Sequence, residues 1–268
     1  MDSTAIKQIQ NESAVKQQVA KIESLDIPAV ALPKDFSVEN LEKFMDAPTR
    51  FRGTYRTDNL IAFAEYNNDK KKGICFISSS NAIATSSFDL GDEENPGHGD
   101  HRATLQLTPT SEYTEQQKIE GETLTQIKFA EWLEDWRHFV QIKDQNGNDM
   151  HVNAAIQSAR KVTLRSTQST DHNEQHYKSS RSAMEEIEAK AEHGIPAYIT
   201  FTCKPHENFE ERDFVMRVSL LTQRDVPHFK LRTIQLQLIK DAIAEEFQQK
   251  LTAELNENVT THIGTFQQ

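Results

Sequence analysis

The sequence predicts an α+β fold built mainly on antiparallel β-sheet, with inserted helices, an extended β-hairpin arm and helices at both termini. Three observations predict it. Apolar residues recur at helical intervals over 4–25, 58–68, 123–140 and 241–255, period-two runs crowd the second half, and short polar turns join those runs.

In chain order, Ile6, Ile9, Val15, Val19, Ile22 and Leu25 give a narrow apolar stripe on a first helix, which Pro28 and Pro33 separate from the rest of the chain. Ser37 is placed to cap a short helix with Val38, Leu41, Phe44 and Met45 inward. "RFRGTYR" alternates as a strand. Thr57 or Asp58 then caps a helix through "NLIAFAEYNN", with Leu60, Phe63, Ala64 and Asn67 on one face. "GICFIS" and "NAIATSSFDL" read as adjacent strands. The loop "GDEENPGHGD" leads into "HRATLQL", where Ala103, Leu105 and Leu107 share one side.

Thr123 and Gln126 form a capping box for a helix whose inward face is Ile127, Phe129, Trp132, Leu133, Trp136 and Val140, with Glu131, Glu134 and Asp135 outward. Another helix lies near "NDMHVNAAIQSAR", after the turn at Asn146 and Gly147. From Val162 to Arg181 the pattern is polar on both faces, the signature of an exposed hairpin. "PAYITFTCKP", "RDFVMRVSLLTQ" and "PHFKLRTIQLQLI" are three strands, and a closing helix after Asp241 spaces Ile243, Phe247, Leu251 and Leu255 four apart. The expected organisation is an N-terminal helix over 1–27, an α+β domain over 28–256 and a frayed tail over 257–268.

Composition narrows the function classes. With 41 acidic and 30 basic residues the formal charge is −11, which repels phosphate backbones and argues against broad nucleic-acid binding, while leaving room for a local basic stripe. Cys75 and Cys203 sit in separate apolar runs, as reduced thiols do, so the expected location is cytoplasmic. No segment approaches the apolar length of a membrane span, and no membrane partner is expected.

The stretch "PGHGDHRATLQLTP" carries the sharpest chemistry. His98 and His101, taken with Cys203 and His206, form two short-spaced pairs that would complete a tetrahedral zinc site. A quartet with one thiolate is weak support, and a buried thiol beside a turn histidine explains the second pair better, so no metal is expected. Asp100 beside His101 is the candidate acid–base pair, but a nucleophile or positioned water is wanting. The glycine-poor chain has no G-x-S-x-G, P-loop or H-E-x-x-H pattern. The favoured reading is a corner that pins loop to strand, with Gly99, Asp100, His101 and Arg102 as the binding candidates. Trp132 and Trp136 read as core, and Lys70, Lys71 and Lys72 as a solvated turn.

The blocks "APTRFRGTYRTDNLIAFAEYNN", "GDHRATLQLTPTSEY" and "GETLTQIKFAEWLEDW" resemble, in order and spacing, the YfdQ-like family of phage and prophage proteins, domain of unknown function 2303, from about Pro28 to Leu238. The motif residues are Gly99, Asp100, His101, Arg102 and Ala103, then Phe129, Ala130, Glu131, Leu133 and Glu134. The chain departs from that pattern at His98, where tryptophan is usual, and a metal ligand does not alternate with an indole. The resemblance implies a phage or prophage accessory protein and brings no enzymatic activity with it.

The expectation is therefore a non-enzymatic, self-assembling cytoplasmic protein of a bacterial host, without cofactor, whose partner is itself and a phage or host protein. Two alternatives stand beside it: a nucleotide- or nucleic-acid-processing enzyme centred on Asp100 and His101, and an acidic inhibitor of a host nucleic-acid-binding defence system.

Overall fold

The computed structural model describes residues 42–70, 72–162, 194–223 and 226–266. The chain divides into two units, Met1–Phe51 and Arg52–Gln268. The expected helix over 4–25 and the hairpin over 162–181 lie outside the described residues, apart from Val162. In the first unit Glu42–Phe44 form a single 3-10 turn, and Thr49 donates from its amide and its hydroxyl to Glu42 Oε1 at 2.9 and 2.8 Å. Phe44 and Met45, expected inward, are exposed, because one turn is too short to present a face.

The second unit holds the α+β architecture in two sheets. The strands are β1 (Gly53–Thr57), β2 (Gly73–Ser78), β3 (Ile83–Ser87), β4 (His101–Gln106), β5 (Thr123–Thr125), β6 (Val140–Lys143), β7 (Asp149–Met150), β8 (Tyr198–Cys203), β9 (Arg212–Gln223), β10 (Val226–Thr233) and β11 (Val259–Ile263). The helices are α1 (Leu60–Asn68), α2 (Ser111–Ile119), α3 (Gln126–Asp135), α4 (Val152–Lys161) and α5 (Leu236–Glu254). The first sheet has the order β1-β4-β3-β2-β11; it is antiparallel at its centre and parallel at both outer pairs. The second, β5-β10-β9-β8-β6-β7, is antiparallel throughout.

Alternation in "GICFIS" and "HRATLQ" sends Cys75, Ile77, Ala103 and Leu105 to one face, where α1 lies with Leu60, Phe63, Ala64 and Asn67 buried, the face the sequence predicts. The cap of α1 is Asn59, whose Oδ1 accepts from the Ala62 amide at 3.0 Å, in place of Thr57 or Asp58; such a cap contributes about 1 kcal/mol. Helix α5 meets α1, β9 and the 3-10 turn Ser79–Asn81, so one continuous core links the sheets.

Other elements differ from expectation. Thr125 caps α3, because Thr123–Thr125 pair with β10 instead of opening the helix; Ile127 then faces solvent, while Phe129 stacks on Phe229 with ring centres 4.4 Å apart. Such ring pairs add about 0.5–1.5 kcal/mol beyond burial. Helix α2, capped by Thr110, occupies a stretch with no predicted element, and Val140, expected on the inward face of the α3 helix, instead opens strand β6, because the helix ends at Asp135. Helix α5 starts at Leu236, before Asp241. The tail expected to fray supplies β11, held parallel to β2 from Val259 to Ile263.

Candidate functional site: a histidine corner

The loop between β3 and β4 takes its path from glycine. Gly91 has φ +75°, and a Cβ there would stand 2.1 Å from the Asn95 carbonyl oxygen; one on Gly97 would stand 1.9 Å from the Asp89 carbonyl oxygen. Only hydrogen fits either place. Gly97 N–H donates to the Leu90 carbonyl at 2.8 Å and Gly99 N–H, at φ +63°, to that of Asp89 at 3.2 Å. Asp92 Oδ1 accepts from the amides of Glu94 and Asn95 at 3.1 and 2.7 Å, an Asx turn that reverses the chain.

Asp89 fastens this loop to β4. Its Oδ2 accepts from the Asp100 amide at 3.1 Å and its Oδ1 from the His101 amide at 3.0 Å. Both are charge-assisted bonds, stronger than neutral ones. The carbonyls beside them are also engaged: Gly53 N–H donates to Asp100 at 2.9 Å and Phe88 N–H to His101 at 3.0 Å. Arg102 Nε donates to the Gly99 carbonyl at 2.5 Å, and the Asp100 carboxylate lies 4.0 Å from Arg52 Nε.

The imidazole of His101 turns toward α1. Its Nε2 is hydrogen-bonded to Tyr66 Oη at 2.9 Å, and its ring centre lies 4.7 Å from that of Phe88. Tyr66 stacks on Tyr55 at 4.6 Å and carries Lys70 Nζ 4.3 Å from its ring centre, so Lys70 is not simply a solvated turn residue. Burial first, and the Lys70 charge second, hold the imidazole below the ordinary histidine range, against the opposing pull of Asp89. The ring is therefore neutral near pH 7 and bonded to a phenol.

Gly99, Asp100, His101 and Arg102 do come together in one corner, but the carboxylate that organises it is Asp89, not the adjacent Asp100. Asp89, Tyr66 and Phe88 have no marker in the sequence: their contacts join residues 11 to 35 positions apart. Among the described residues the His98, His101, Cys203 and His206 quartet forms no group placed to hold a metal ion. His206 Nδ1 bonds the Thr108 carbonyl at 3.0 Å and its ring packs on Phe209, Cys203 is a buried free thiol, and among the described residues no group of three or more His, Cys, Asp or Glu is placed to hold a metal ion. Burial pushes the Cys75 thiol up to about 11 and, with Glu112 and Glu211 adding to it, the Cys203 thiol up to about 12, so neither is a nucleophile near neutral pH. Trp132 is core, stacked on Phe201 at 5.8 Å, and Glu134 pairs with Arg160 at 2.7 Å on the exposed side of α3.

Fold and corner together define an α+β protein of two sheets with a polar loop fastened to the first of them. The chain belongs to the DUF2303 family of uncharacterized conserved proteins, whose model matches residues 2–266. Among curated proteins and among solved structures nothing matches it. Among the described residues no helix is long and apolar enough to cross a membrane.

Proposed function

We propose that the protein acts by binding, as a self-associating accessory protein of phage or prophage origin, and that its histidine corner shapes a surface without performing chemistry. The observation that carries this reading is the engagement of His101. Its Nε2 is committed to the Tyr66 hydroxyl, its ring is packed on Phe88, and the carboxylate nearest its backbone spends both oxygens on amides. A general base needs a carboxylate or carbonyl to orient it and a proton donor that becomes a nucleophile; a tyrosine phenol held in an aromatic cluster is a poor candidate for the second part.

Self-association rests on the apolar stripe over 4–25, which a second copy would cover. The test pairs two measurements on the full chain. Light scattering after size exclusion should give a mass well above the 30.6 kDa chain. Incubation with nucleoside triphosphates and with oligonucleotides should give no turnover that His101→Ala removes. A monomer, or a turnover lost in His101→Ala at unchanged melting temperature, would refute the reading.

A further inference from the structure

The face of the second sheet turned away from its helices carries a row of cations that the sequence does not show. Lys143 of β6 pairs with Tyr198 of β8, Tyr198 with Arg217 of β9, and Arg217 with Arg232 of β10. Directly paired residues share a face, so these four side chains form one line across four strands, about 14 Å long at the usual strand spacing. Lys230 stands two residues from Arg232 on the same side. Lys143, Arg217, Lys230 and Arg232 are exposed, and Tyr198 is 38% exposed. Phe201, Phe214 and Phe229 of the same strands take the opposite, buried face, against Trp132, Tyr113 and Phe129 of the helices.

Among the described residues none of these four cations is in an ion pair. Asp149 is opposite Lys143 without reaching it, and Asp213, farther along β9, accepts from the Thr202 hydroxyl at 2.6 Å. Like charges placed directly opposite on a sheet destabilise it, and Arg217 and Arg232 are so placed in a chain where acids outnumber bases by 41 to 30. A bound polyanion offsets that repulsion.

We propose that this face binds a single-stranded nucleic acid, the phosphates lying along Lys143, Arg217, Arg232 and Lys230 and a base stacking on Tyr198. This names the partner class for the binding-protein reading above and rests on it. A sheet face presents no projecting helix or ribbon to enter a duplex groove, and an aromatic ring in the middle of a cation row is a platform for an unpaired base. The negative charge of the rest of the chain repels a strand elsewhere and confines it to this face.

The test is fluorescence anisotropy of a labelled oligothymidylate with the full chain, at salt from about 50 to about 200 mM, together with recovery of the oligonucleotide. Binding should weaken with salt. Arg217→Glu combined with Arg232→Glu should lower affinity about tenfold or more and flatten the salt slope by about 1.4, at about 0.7 for each phosphate that is no longer neutralised. Tyr198→Ala should lower affinity and leave the slope unchanged. Circular dichroism should be unaltered, since all three side chains are exposed. No binding at low salt, or binding indifferent to the two arginines, would overturn the proposal; so would self-association that needs Arg217 and Arg232 in a chain that binds no oligonucleotide. Cleavage of the oligonucleotide abolished by His101→Ala would refute the binding-only reading instead, and affinity that still fell in the arginine variant would uphold the face.

Discussion

Tyr66 Oη and His101 Nε2 lie 2.9 Å apart, tying the last turn of α1 to the first residue of β4. The bond makes the corner sensitive to pH in a defined sense. Burial and Lys70 lower the proton affinity of the folded imidazole, so the unfolded chain, with an ordinary value near 6.5, takes up a proton first as the pH falls. The stability from the neutral ring is complete above that value and is lost as the pH drops from it toward the folded one. Thermal melts should therefore show a decline as the pH falls below the ordinary histidine value of about 6.5, and His101→Gln should make it shallower. An equal decline in the variant would assign it to other groups.

Gly97 and Gly121 separate steric from conformational cost. A Cβ on Gly97 meets the Asp89 backbone, whereas Gly121 has φ +75° and open space around it. Gly121→Ala should cost about 1–2 kcal/mol by urea unfolding, the penalty of a left-handed alanine. Gly97→Ala should cost more, because the loop that carries His101 must shift to admit the methyl. The reverse order would mean that the loop is looser than its hydrogen bonds imply.

Much of this was legible in residue spacing and some of it was not. The buried face of α1 and the alternation of β2 and β4 follow from apolar periodicity alone, since one side of each must meet a core. Helix α2 hid because its inward positions include Tyr113 and Gln116, polar enough to blur the stripe; its cap, Thr110, was the available signal. Strand β11 depends on β2 for its pairing, a tertiary fact that a five-residue stretch does not announce. In the corner, Asp100 stood out by adjacency, while Asp89 acts across a loop closed by glycines. The cation row is invisible in the chain because its members come from four strands, and only register aligns them.

Both thiols should be silent in the folded protein. Cys75 is fully buried and Cys203 nearly so, with their ionisation pushed to about 11 and about 12. A thiol-specific chromogenic reagent at about pH 8 should titrate neither until denaturant is added, then both, since the thiolate is the reacting form. Rapid labelling of either one in native buffer would contradict the packing of its strand.

The central claim is that the loop bearing His101 is held in place by Asp89 and is not a catalytic Asp100–His101 pair. The most direct test compares the melting temperatures of Asp89→Ala and Asp100→Ala. Removing Asp89 leaves the amides of Asp100 and His101 without the carboxylate that accepts from them, a loss of about 2–4 kcal/mol and a fall in melting temperature of about 5 °C or more. Asp100→Ala should lower the melting temperature less than Asp89→Ala, because its carboxylate is half exposed and its pair with Arg52, at 4.0 Å, contributes about 1 kcal/mol or less. A larger fall for Asp100→Ala than for Asp89→Ala would contradict the account.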